Sequence, residues 1–257
     1  MKMFKVNNGN LQEKEYLYDA LKIAINTKQM ICFVGGGGKT SLIYKLAKEF
    51  GIMGKRVIVT TTTHMFMPEN NVVLTGNIDD IKEMLAKTNV VTVGIQSEIT
   101  ASSVNSSCLN RKKIRGLPLD LSSKLIDIAD IVLIEADGSK RLPLKVPADH
   151  EPVILEGTTM VIGVAGLDAL GKSISEICHR SNLVAEFLNV EENHIITPHD
   201  IALILNSKKG QRKSVNCEYR VVINKADNIN EIDKAKKIVN ELYNIGVYES
   251  IITTFRQ

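Results

Sequence analysis

Apolar residues in this chain fall into two patterns, short unbroken runs and stripes at helical spacing. Runs such as Met30-Ile31-Cys32-Phe33-Val34 and Ile131-Val132-Leu133-Ile134 are apolar at every position. A strand covered by helices on both faces needs that pattern, whereas a half-exposed strand would alternate. Strands are therefore predicted over 30–34, 56–60, 90–95, 131–134, 159–164, 220–223 and 250–254. Between them Leu42, Ile43, Leu46, Ala47 and Phe50 lie on one helical face, predicting a helix over 41–50. Leu17, Ala20, Leu21 and Ala24 predict an opening helix over 13–26. Further helices are expected over 78–87, 121–129, 182–188, 198–205 and 231–244. Alternating strands and helices predict an α/β fold, doubly wound around a mainly parallel sheet. A single domain over 1–257 is expected, with an irregular insertion at about 96–118 and a long loop or lid at about 138–158.

Composition narrows the setting without naming a chemistry. A chain of 257 residues can bury a full core without covalent staples. Its four cysteines, Cys32, Cys108, Cys178 and Cys217, show no C-x-x-C spacing, which argues against a disulfide framework or a zinc ribbon. A reducing, cytoplasmic setting follows as the expectation. The first residues lack the apolar run of a signal peptide and no stretch reaches transmembrane length, so no membrane is expected. A net charge of +3 is too mild to imply nucleic acid. The basic runs at 111–113 and 208–213 carry no interleaved aromatic residues, so they read as solvated loops.

The first chemical signal is Gly35-Gly36-Gly37-Gly38-Lys39-Thr40-Ser41, set between an apolar strand and an amphipathic helix. Glycines let successive amides turn toward one anion, and the helix N-terminus adds partial positive charge. Lys39 is expected to reach the β- and γ-phosphates of a nucleoside triphosphate, from an exposed loop–helix junction. The Thr40 hydroxyl is expected to hold Mg²⁺. Phe33 stands where the longer form of this motif has its first glycine, so the loop reads G-x-x-G-K-T. That short form resembles the nucleotide loops of Mur-type ligases as much as those of GTPases.

A second signal is the carboxylate pair after an apolar strand, Glu135-Ala136-Asp137-Gly138. Either Glu135 or Asp137 could orient the metal and its waters. Thr60-Thr61-Thr62-Thr63-His64 ends another strand, and one of its hydroxyls, assigned to Thr62, is placed near the metal. A third signal, Asn224-Lys225-Ala226-Asp227 after the strand at 220–223, resembles the N-K-x-D motif of GTPases. There the carboxylate accepts two hydrogen bonds from guanine, a donor pair that adenine lacks, so GTP is favoured over ATP.

The stretch 135–152, E-A-D-G-S-K-R-L-P-L-K-V-P-A-D-H-E-P, packs charge, proline and histidine together. With V-G-G-G-G-K-T-S, T-T-T-T-H-M, V-A-G-L-D-A-L-G-K and Cys178-His179-Arg180, it resembles one family across nearly the whole chain. That family is the selenium-dependent hydroxylase accessory proteins, also called the selenium cofactor biosynthesis protein YqeC family. The resemblance implies a P-loop protein tied to maturation of selenium-dependent molybdenum hydroxylases; it does not supply a reaction. The residues themselves suggest that Lys140, Arg141 and Lys145, with His150, meet an anionic group beside the γ-phosphate. Asp149, His150 and Glu151 could equally bind a metal or act as acid and base. His179-Arg180 could join that site. Lys39, Glu135, Asp137, Lys140 and His150 are thus the catalytic candidates.

Three functions compete on this reading. One is a GTP-hydrolysing maturation factor with a client hydroxylase as partner. Another is an ATP-dependent kinase or ligase acting on a small cofactor precursor. The last is a nucleotide-dependent binding module without turnover.

Overall fold

The computed structural model describes residues 1–7, 10–97 and 112–255. Ten strands form the main sheet. In chain order they are β1 (Met3–Asn7), β2 (Asn10–Lys14), β3 (Gln29–Gly35), β4 (Val57–Thr61) and β5 (Val72–Val73). They continue with β6 (Val90–Val93), β7 (Ile131–Glu135), β8 (Met160–Gly166), β9 (Glu218–Asn224) and β10 (Ser250–Thr253). The spatial order is β2-β1-β10-β9-β8-β3-β7-β4-β6-β5. Every pairing from β10 to β5 is parallel, while β1 and β2 close one edge antiparallel.

Helices cover both faces, so the central strands are buried at every position. In β3, Ile31 and Phe33 pack with Leu42, Leu46 and Phe50 of the following helix. Met30, Cys32 and Val34 point the other way, toward Leu85 and Leu125. This is the α/β, mainly parallel architecture expected from the unbroken apolar runs. The helix that matters most is α2 (Lys39–Ile52); α1 (Leu17–Ala20) precedes it.

Several local expectations are corrected. The helix predicted over 13–26 is a strand, β2, followed by the four residues of α1. Leu17, Ala20 and Leu21 are indeed buried, but one turn satisfies that spacing. The Glu49 carboxylate accepts the amides of Leu17 and Tyr18 at its start, and Lys22 leaves it at φ 55°. The strand expected over 90–95 breaks at Gly94: β6 stays in the main sheet, and Ile95–Gln96 joins His64–Phe66 and Lys113–Arg115 in a small antiparallel sheet. Of the insertion expected at 96–118, Arg111, Cys108 and their neighbours over 98–111 lie outside the described residues.

The segment at 138–158 is irregular apart from the two-residue strand Leu144–Lys145, but its middle is not solvated. Residues 143–147 are all buried, and Leu144–Lys145 pairs in parallel with Cys178–His179. Prolines and a lysine hid this from a composition reading. The burial is possible because the lysine finds carboxylate partners inside.

Candidate functional site

The ends of β3, β7, β8 and β9 converge on the loop between β3 and α2. Parallel strands bring all their carboxyl ends to one edge, so residues distant in sequence meet there. Gly35, Gly37 and Gly38 take φ values of 93°, 79° and 119°, in the region that only glycine adopts freely. At Gly37 a side chain is also excluded sterically: a Cβ there would sit 2.1 Å from the Gly166 amide nitrogen. Three loop amides are already engaged. That of Gly35 donates to the Asp137 carboxylate at 3.0 Å, that of Gly36 to the Val164 carbonyl at 2.9 Å, and that of Gly37 to the Leu142 carbonyl at 3.2 Å. The amides of Lys39, Thr40 and Ser41 open α2, before its first intrahelical acceptor can serve them. The N-cap, Gly38, offers no side chain. Those amides are what the loop presents to an anion.

The carboxylate that ends β7 and the one two residues past it make different contacts. Glu135 accepts the Thr40 hydroxyl at 2.7 Å. Asp137, 1% exposed, pairs with Lys39 at 3.0 Å and with Lys145 at 3.2 Å. Burial pushes the Glu135 pKa upward against the pull of Lys39 and the Thr40 hydroxyl. Lys39 does not stand at an exposed junction, as its position before a helix suggested; it is 3% exposed and also donates to the Gly35 carbonyl. A carboxylate two residues past the strand reaches beneath the loop and draws the ammonium inward.

From Asp137 a chain of buried ion pairs runs away from the loop. Lys145, 0% exposed, donates to Glu151 at 2.5 Å and to the Gly138 carbonyl at 2.8 Å. Glu151 is gripped in turn by Arg180. Burial opposes its charge, but Arg180 and Lys145 outweigh that and hold its pKa at about 2. His179 is neutral: burial, then Arg180, Lys145 and Lys140, bring it down to about 4.

The remaining sequence candidates divide. Lys140 and His150 are exposed, and neither enters the buried network; its members from this segment are Lys145 and Glu151. Asp149 and His150 stay at the surface while Glu151 turns in. Among the described residues no three His, Cys, Asp or Glu side chains converge as a metal set, so the cluster weighed at 149–151 does not form. In the threonine run, Thr60 donates to the Val93 carbonyl, Thr61 to the Glu135 carbonyl and Thr62 to the Val153 carbonyl. Those bonds tie neighbouring segments together, and His64 is exposed on the small sheet.

Asn224-Lys225-Ala226-Asp227 does reach the loop. The Asn224 amide donates to the Gly37 carbonyl at 2.8 Å, and its oxygen accepts the Thr253 hydroxyl at 2.8 Å. Lys225, at φ 68°, pairs with Asp168 at 2.7 Å. The Asp227 carboxylate accepts the Phe255 amide. Sequence reasoning missed Thr253, Asp168 and Gln211. Gln211 lies within a basic run, yet it is 1% exposed, and a Cβ on Gly35 would lie 2.4 Å from its amide oxygen. Lys213 of the same run donates to the Ala148 and Asp149 carbonyls. That run is therefore partly structural, not wholly solvated.

The family model of the YqeC protein matches residues 31–182, more than half of the chain. The chain belongs to the YqeC family. A relative from Escherichia coli (strain K12), described as "Uncharacterized protein YqeC", is 34% identical over 189 residues, covering 72% of this chain and 71% of its own length. The YqeC match takes in the loop, both carboxylates, Lys145, Glu151 and Arg180, and stops before Asn224. No helix among the described residues is long and apolar enough to cross a membrane.

Proposed function

We propose that this chain binds a nucleoside triphosphate with Mg²⁺ at the Gly35–Ser41 loop and hydrolyses it, with GTP favoured over ATP. The observation that carries the reading is the Thr40–Glu135 hydrogen bond of 2.7 Å beside a buried Lys39. A hydroxyl and a carboxylate at that spot are hard oxygen donors suited to Mg²⁺. Glu135 with Thr40 is therefore the metal pair, and Asp137 is the residue that positions Lys39. Bound Mg²⁺ would neutralise charge on the phosphates. Within the chain itself, the α2 amides bind the phosphates, and Lys39 exchanges Asp137 and the Gly35 carbonyl for phosphate oxygens. Thr62, just past the end of β4, donates to the Val153 carbonyl and would have to give up that bond to contact the metal's surroundings.

Preference for guanine is supported by Asn224, whose bond to Gly37 sets the N-K-x-D segment against the loop. As a member of the YqeC family, the chain acts on this reading as a cytoplasmic accessory factor for selenium-dependent molybdenum hydroxylases, with the client enzyme as partner. A second reading, an ATP-dependent kinase or ligase for a small cofactor precursor, is favoured by Lys140 and Arg141, which sit on the turn that carries Leu142 onto the loop.

Calorimetry of GTP and ATP with Mg²⁺ tests the choice. GTP should bind more tightly, and Asp227→Asn should shift preference from guanine toward xanthine, because the amide can donate. Equal or tighter ATP binding, with no shift in the variant, would remove guanine recognition and promote the second reading.

A further inference from the structure

The small antiparallel sheet beside the loop is polar and basic on its outer face. Its register pairs His64 with Arg115, Met65 with Ile114 and Phe66 with Lys113. Side chains alternate across a strand, so Met65 and Ile114 point into the core, while Phe66, Lys113 and Arg115 share the outward face. A further cation reaches that face from another part of the chain. The Arg141 guanidinium lies 4.8 Å from the Phe66 ring centroid, and the Lys113 ammonium lies 5.5 Å from it. Both cations are thus placed by the negative face of one ring.

Arg141 is also fixed to the phosphate loop. Lys140 and Arg141 form the middle of a turn closed by the Leu142 amide on the Ser139 carbonyl. Their φ values are 48° and 67°, a left-handed conformation that non-glycine residues adopt only at a cost. The next carbonyl, that of Leu142, accepts the Gly37 amide. Arg141 therefore spans the distance between the loop and the small sheet. Lys113, Arg115 and Arg141 form no ion pair among the described residues. Like charges gathered on one face repel each other until an anion joins them.

We infer that Arg141 and Lys113 on the Phe66 ring, with Arg115 on the same strand face as Lys113, form a second ligand site for a small molecule bearing phosphate or carboxylate groups. The inference rests on the loop being a triphosphate site, and it supplies the ligand that would sit next to the terminal phosphate. It replaces Lys145 and His150 as the groups that meet that anion. Lys145 is enclosed by two carboxylates, and His150 shows no tie to the loop.

The test is calorimetric titration of 3-phosphoglycerate, which carries both anionic groups, into protein saturated with Mg²⁺ and a non-hydrolysable GTP analogue. One saturable site is expected, weakened at least tenfold by Arg141→Gln and by Lys113→Gln and unchanged by Lys237→Gln in the helix Ile229–Asn244, which packs with Ile223 and Ile252 instead. Phe66→Leu should weaken it too, while Phe66→Tyr, which keeps the ring face, should not. Affinity for the GTP analogue should stay within about twofold in Arg141→Gln. Absence of saturable binding, or equal affinity in Arg141→Gln and Lys237→Gln, overturns the inference while leaving the loop assignment standing. If the analogue itself does not bind, the loop assignment falls. The same titration on the empty protein then decides the anion site, by whether binding depends on Arg141.

Discussion

His179 sits 8% exposed among Arg180, Lys145 and Lys140, and its protonation has a direct effect on stability. Burial first, and then those three cations, lower its pKa from 6.5 to about 4. Between these values the unfolded chain binds a proton that the folded chain refuses, so stability rises with pH across that window. The His179→Gln variant should show a flatter unfolding midpoint than the wild type from about pH 4 to 6.5. Parallel profiles in a thermal scan would show that His179 is not the group refusing the proton. Glu151 acts in a lower window. Its pKa falls from 4.5 to about 2, so its contribution is complete above the upper value and is lost as the pH drops through the lower one.

At the scale of elements, the segment after β7 is held by buried ion pairs as well as by the core contacts of Leu144 and Val146. Leu144–Lys145 makes a two-residue strand with Cys178–His179, too short to be stable by pairing alone. The Asp137–Lys145–Glu151–Arg180 chain secures it. Lys145→Met keeps the side-chain length but leaves two buried carboxylates with one cation each. Removing one partner of a buried pair costs about 3–5 kcal/mol, so urea denaturation should show a loss of that order. A loss under about 0.5 kcal/mol would mean that the segment is held by its apolar neighbours instead. Because Asp137 also holds Lys39, the same variant loosens the loop from below.

For the whole molecule, the sheet order puts the loop strand β3 between β7 and β8, with β9 next in line. The Gly35–Ser41 loop, the Thr40–Glu135 pair and the Asn224–Asp227 segment thus lie at the carboxyl ends of neighbouring strands of one sheet. A ligand bound only by the folded chain stabilises the whole of it, by about 2.7 kcal/mol at a hundredfold excess over Kd. For a chain of this size that is an upward shift of roughly 5–10 °C in Tm. GTP with Mg²⁺ should produce it in the wild type and not in Lys39→Ala. An equal shift in both proteins would place the nucleotide somewhere other than this loop.

What the sequence determined by itself was the architecture and the loop. Short unbroken apolar runs, rich in β-branched residues and bounded by turn signals, fit strands buried on both faces, and four glycines before Lys39-Thr40 fit a close backbone turn. Those are local statements, and local physics decides them. The tertiary structure alone decided which polar groups share an environment. Glu135 and Asp137 are equivalent as letters, yet one faces Thr40 and the other passes beneath the loop to two lysines, because Glu135 ends the strand while Asp137 lies beyond it, where the pleat no longer sets the side chain's direction. Lys145 and Glu151 look like surface residues in a proline-rich stretch, and His150 looks like the chemistry. Their order is reversed because the buried Lys145 and the half-buried Arg180 pair with Glu151, while His150 is exposed. Gln211 and Thr253 could not be found at all from their neighbours in sequence. Their importance is set by parallel strands whose carboxyl ends meet only when the sheet is assembled.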